Sequence, residues 1–280
     1  KASMQRPWHG FLPLSERDMA ERGETLWQTI GPSPLPANPG WPTPRAVDLS
    51  EIPGIVKAHS DAARRCHEAG FEVLDIHGAH GYLIHTFLSP LSNQRNDHYG
   101  GDLPGRMRLA LEIASAVREE WPDEKPLFYR LSCIDKEPGG WTLDESVVLA
   151  RELSKLGVDV IDCSSSGLGQ RDTPVLTPRK QGFQVPFAER IRLETDLATM
   201  TVGLIQEPEY AESVLQEGRA DLVAIGREAL FNPTWPLHAS VTLLGDEAYE
   251  RFWQPRFGWW LDKRAHSLAA AAAETEQESL

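Results

Sequence analysis

Three histidines and a tyrosine fall within nine positions of the stretch DIHGAHGYLIHTFLSP, residues 75 to 90: His77, His80, Tyr82 and His85. Such a set can ligate a metal, relay a proton, or grip an oxygen with N–H and O–H donors. Histidines at i and i+3 are a common ligand pair. The stretch nevertheless lacks H-E-x-x-H and any acidic residue placed as a third ligand, since Asp75 belongs to the preceding strand, so no metal site is expected. Single histidines also fill ordinary structural roles, and His85 fits that reading. His77 and His80 stand at the exit of a short strand, FEVLDI, where a barrel would aim side chains into its cavity mouth. Two neutral imidazole donors there suit a carbonyl or nitro oxygen.

The surrounding sequence supplies the elements that would position these groups. Residues 1 to 48 are rich in Pro, Gly and Trp with little periodicity and read as a long ordered loop or lid. From Ser50 a helical face of Ile52, Ile55, Val56, His59, Ala62, Ala63 and Cys66 runs to a closing Gly70. After FEVLDI the alternation continues. A helix over 104–121 precedes the strand PLFYRLSC at 126–133. A capping box, Thr142 with Glu145, opens a helix over 142–156 that Gly157 closes, and VDVIDCSS follows as a strand. A helix near 186–195 leads to LATMTVG, and a helix over 207–217 closed by Gly218 leads to DLVAIG at 221–226. Five uniformly apolar strands separated by helices imply a parallel sheet, in a doubly wound fold or a (β/α)8 barrel. His77, Arg130, Ser164, Gly203 and Gly226 with Arg227 all lie near the C-terminal ends of their strands, which matches the barrel, and no strand is followed by G-x-G-x-x-G.

Composition narrows the class. A net charge of −13 over 280 residues gives no basic stripe, so neither nucleic acid nor a membrane surface is an expected partner. Three scattered cysteines, Cys66, Cys133 and Cys163, form neither a disulfide framework nor a Cys-x-x-Cys motif, and a cytoplasmic setting is expected.

The histidine segment continued to DIHGAHGYLIHTFLSPLSNQRNDHYGG, together with DVIDCSSSG, GFQVPFAERIR, TVGLIQEPEYAESVLQEGRADLVAIGRE and NPTWP, resembles the old yellow enzyme family, in its bacterial NADPH dehydrogenase and xenobiotic reductase branch. The resemblance runs from residue 1 to about residue 262. It implies an FMN-dependent NAD(P)H oxidoreductase that reduces activated C=C bonds of enones and nitroalkenes by ping-pong hydride transfer. It assigns His77, Gly78, Ala79 and His80 to substrate contact, with the two imidazoles donating to the oxygen on which charge develops, and it makes Tyr82 the proton donor to the α-carbon. Arg130, Gly203, Gly226 and Arg227 would bind FMN; an arginine inside LFYRL is costly to bury unless it meets an anion. The aromatic run FWQPRFGWWLDKR either plugs its own barrel or, as in related branches, sends a residue into a neighbouring subunit's site. Trp260, then Arg256, is the candidate for that role, with a homo-oligomer as its consequence.

A complete barrel has eight strands, and five are legible. The resemblance therefore implies a partial barrel over residues 1–265, with strands four to eight present. The first three βα units, about 90 residues at roughly 30 per unit, are absent, and the chain is a fragment or is completed by another chain. The alanine-rich tail, 266–280, reads as a frayed helix or disordered. Three other readings compete: an iron–sulfur-containing branch of the same barrel, which scattered cysteines disfavour, a non-catalytic remnant, and a metal-dependent barrel hydrolase.

Overall fold

The computed structural model describes residues 21, 28–37, 41–135, 137–168 and 178–278. Two short strands, β1 (Ile30–Gly31) and β2 (Arg45–Ala46), pair in parallel. Arg95 fastens them by donating from Nη1 to the carbonyls of Pro32 (3.2 Å) and Val47 (2.6 Å). They belong to the expected lid, of which residues 1–20, 22–27 and 38–40 lie outside the described residues.

The βα alternation follows: α1 (Ile52–Glu68), β3 (Leu74–Gly78), α2 (Leu83–Leu88), α3 (Leu103–Glu120), β4 (Leu127–Ser132), α4 (Leu143–Ser154), β5 (Val160–Ser164), α5 (Val185–Glu194), β6 (Ala198–Thr201), α6 (Pro208–Gln216) and β7 (Leu222–Val223). The capping box of α4 forms as the sequence predicts, with the Thr142 hydroxyl accepting from the Glu145 N–H and the Glu145 carboxylate accepting from the Thr142 N–H. Gly157, at φ +80°, takes the left-handed conformation that ends the same unit. The expected strands are present but shorter. FEVLDI begins to pair only at Leu74, since Phe71 and Val73 still belong to an exposed turn, and DLVAIG pairs only through Leu222 and Val223.

All five strands are parallel, and their spatial order β3-β4-β5-β6-β7 repeats their sequence order. A doubly wound sheet needs a point where that order reverses, so the sheet is the arc of a barrel. Among the described residues no strand closes it. Its outer face carries Leu127, Tyr129, Leu131, Ile161 and Cys163, all fully buried beneath the helices, and each large apolar side chain there contributes roughly 1.5–3 kcal/mol. The inner face is different. Register aligns His77 with Arg130, Arg130 with Asp162, and Asp162 with Met200 on a surface that is polar and partly open to solvent.

After β7 come α7 (Arg227–Phe231), α8 (Trp235–Leu244), α9 (Glu247–Phe252) and α10 (Pro255–Glu278). Of the segment read as a frayed or disordered tail, residues 266–278 continue α10, with 266–275 exposed, and 279–280 lie outside the described residues. Phe252, Phe257, Trp259 and Trp260 are exposed, so in this chain the aromatic run does not plug its own barrel. Among the described residues no helix is long and apolar enough to cross a membrane.

Candidate active site

Strand β3 delivers His77 to the inner face, and the turn that follows bends back across the strand ends. His80 and Gly81 are both left-handed, at φ +59° and +69°, which costs a non-glycine residue such as His80 on the order of 1 kcal/mol. Hydrogen bonds offset that strain. The His80 N–H donates to Ser132 Oγ (2.9 Å), and that hydroxyl donates onward to the Ser166 carbonyl (2.6 Å). The Tyr82 N–H reaches the Ala79 carbonyl at 3.2 Å, and a Cβ on Gly81 would stand 2.4 Å from the Gly167 carbonyl oxygen. The result is a cluster of rings: His77 lies 5.2 Å from His80 and 5.2 Å from Tyr82, centroid to centroid. Desolvation, and then the charge of Arg130, lower the proton affinity of His77, so near neutrality it is an uncharged imidazole that can donate a hydrogen bond.

The turn borders a cavity of about 770 Å³, large enough for a cofactor or drug-sized ligand. His80, Arg130 and Ser164 line it from the β3–β5 side of the sheet, and Gly203, Gly226 and Arg227 line it from the β6–β7 side. The cavity thus brings together one predicted substrate-contact residue and all four predicted cofactor residues. Tyr82 and His77 stand beside it through their rings. Gly78 and Ala79 do not line it: both are buried, and a Cβ on Gly78 would stand 2.4 Å from the phenol oxygen of Tyr129. Trp260 is 67% exposed on α10 and is likewise not part of the lining.

Arg130 meets its anion within the chain. Its Nε lies 2.9 Å from Asp162 Oδ2, and burial raises the Asp162 carboxyl against the pull of the guanidinium. Asp162 is the partner that sequence reasoning missed, although a charged residue inside VDVIDCSS was its signal. Gln184 was also missed. Its side-chain N–H donates to the Val202 carbonyl (2.6 Å) while its oxygen accepts from Ser165 Oγ (2.8 Å), which ties the start of α5 to the end of β6 beneath the cavity. Ser164 Oγ sits 2.6 Å from His80 Nε2. Arg227 and Arg179 both line the cavity, and among the described residues neither pairs with an acid. Two unpaired guanidiniums with a glycine whose Cβ side is open make a fitting receptor for a phosphate. Asp246, Asp262 and His266 are the described residues whose ligand atoms come close enough to share a cation; they belong to the C-terminal helices and include none of the three histidines.

Comparison with known proteins identifies the family and the fold. The family described as the NADH:flavin oxidoreductase / NADH oxidase family matches residues 24–243. An NADPH dehydrogenase of Geobacillus sp. (strain WCH70) is 44% identical over 257 residues, 90% of this chain and 74% of that protein. Morphinone reductase, solved in complex with tetrahydroNAD, superposes with a TM-score of 0.64 at 27% identity, covering 77% of this chain and 60% of that one. The old yellow enzyme homologue of Zymomonas mobilis gives 0.62 at 27% identity, covering 75% and 60%. The chain therefore spans about three fifths of these two barrel enzymes.

Proposed function

Because the chain belongs to the NADH:flavin oxidoreductase / NADH oxidase family, we propose that it serves the NAD(P)H-driven reduction of activated C=C bonds, in enones and nitroalkenes, with reductant and alkene using one site in turn. FMN, when bound, supplies the ring that accepts and returns the hydride. The observation that carries this reading is the single cavity that joins His80 and Arg130 to Gly203, Gly226 and Arg227. Arg227 and Arg179 would hold the phosphate, and the Gly203 and Gly226 backbone permits its close approach. Arg130, steadied by Asp162, would face the electron-rich edge of the ring.

His77 and His80 would donate to the carbonyl or nitro oxygen, where charge grows in the transition state and fixed donors count most. His80 can do so when the Ser164 hydroxyl donates to its Nε2, since Nδ1 then carries the proton. Tyr82, packed against His77, would deliver a proton to the α-carbon. Stopped-flow separation of the two half-reactions in Tyr82→Phe tests this assignment. Reduction by NADPH should stay near wild type, while the alkene step slows by roughly 100-fold. Equal slowing of both would show that Tyr82 only positions ligands.

The open inner face of the sheet favours one second reading, in which the chain binds FMN tightly only when further strands cover that face. FMN titration of the 280-residue chain with and without a polypeptide supplying those strands separates the two. Tight stoichiometric binding by the chain alone would remove the second reading.

A further inference from the structure

Directly behind the His80–Tyr82 turn lies a buried pair that the reaction does not touch. His85, on α2, and Asp135, in the loop after β4, are both essentially inaccessible to solvent. The Gly81 N–H donates to His85 Nδ1 at 2.9 Å, and His85 Nε2 stands 3.1 Å from Asp135 Oδ1. Asp135 Oδ2 accepts from the Ser89 hydroxyl (2.5 Å) and from the Trp141 N–H (2.7 Å). The loop is closely packed around it: a Cβ on Gly140 would fall 2.5 Å from the carboxylate.

We propose that His85 and Asp135 are positioning residues for the alkene-reducing site, fixing the tautomer that lets Gly81 hold the left-handed turn at His80 and Gly81, and with it the Tyr82 that follows. This rests on the assignment of His80 and Tyr82 to the chemistry. A backbone N–H can only donate, so Nδ1 must be the acceptor and the ring proton must reside on Nε2. Only an ionised Asp135 rewards a proton there. Burial alone would raise its carboxyl, but His85, Ser89 and the Trp141 N–H together hold it below its ordinary value. Among the described residues neither His85 Nε2 nor Asp135 Oδ1 has a second polar partner, so the pair has no other evident task. Gly81 stands between the two residues that would meet substrate, and a shift there moves both.

The sharpest test is Asp135→Asn. The fixed Trp141 N–H requires the amide oxygen on its side, which turns the NH2 toward His85 Nε2 and drives the ring proton to Nδ1, where it opposes the Gly81 N–H. Three results are expected: the His85 ring nitrogens exchange roles in 15N spectra, the Gly81 amide exchanges faster with solvent, and the alkene half-reaction slows by as much as about 100-fold. Adding His85→Asn should reverse the last two effects, because the asparagine oxygen can accept from Gly81 without needing Asp135. A merely structural pair would not be repaired by a second buried substitution. If Asp135→Asn fails to fold, His85→Asn against His85→Leu carries the same test, with Gly81 protected in the first and exposed in the second. An unchanged His85 tautomer or an equally protected Gly81 in Asp135→Asn overturns the proposal, as does absence of rescue. A switched tautomer and exposed Gly81, seen alongside an inert Tyr82→Phe, would instead leave the wiring standing and remove the chemical assignment of Tyr82.

Discussion

The two sides of the cavity are built in opposite ways. On the histidine side, β5 is buried along all five residues, and the polar groups around it are tied to one another: Ser132 to His80 and Ser166, Ser164 to His80, Ser165 to Gln184. On the other side, β7 pairs through two residues, Leu222 is 41% exposed, and Arg227 and Arg179 have no acidic partner among the described residues. The first side is organised before any ligand arrives, as a site that stabilises developing charge requires. The second holds donors in reserve, as a site for an anionic cofactor requires, and much of its order would come from the ligand.

The largest expected effect would break that contrast on the organised side. His77→Ala combined with His80→Ala should slow alkene reduction by the loss of on the order of 3 kcal/mol per donor, while FMN held from the other side stays in place. Enone turnover by the flavin-loaded double variant, with flavin absorbance as the binding readout, checks both halves. Undiminished turnover would remove the assigned role.

The next effect concerns stability. Leu131, fully buried on the outer face of β4, should cost about 2–5 kcal/mol on conversion to alanine, through lost transfer energy and the cavity left behind. Leu222→Ala on the edge strand should cost about 0.5 kcal/mol or less, as at other exposed positions. Urea midpoints of the two variants measure the difference directly. Similar losses would mean that β7 is covered in solution by something that packs as well as a helix.

The sequence makes one side of this contrast easier to read than the other. Apolar runs and caps such as Thr142 with Glu145 are local signals, so the βα order could be read from them. Strand ends could not. Phe71, Val73 and the flanks of DLVAIG are apolar, but only a neighbouring strand decides whether they pair. His77, His80 and Tyr82 announced themselves by type and spacing. Their supports did not, because His85 meets Asp135, and His80 meets Ser132 and Ser164, across 50 to 84 residues of chain. Such partners follow from sheet register, which a periodicity does not report. Arg130 shows the same limit: its position implied an anion, and the structure supplies Asp162 from the next strand.

The smallest expected effect lies on the open face itself. Asp75 points into the barrel interior beside Arg130, and its carboxyl is raised from 3.8 to about 7, first by desolvation and then by the negative charge of Asp162. A carboxyl raised in the folded state is protonated there while the unfolded chain has already released its proton, so between about pH 4 and 7 the folded state binds more protons. Stability must then fall as pH rises through that window and level off above it. Asp75 is partly exposed, so solvent screening keeps the effect modest. Asp75→Asn retains an oxygen that can accept from the Arg130 N–H and removes the titration. Its urea midpoint should therefore match wild type near pH 4 and exceed it at pH 8. A constant difference across that range would mean that the substitution acts through packing, and that Asp75 is already ionised and solvated on a face more open than the strand geometry implies.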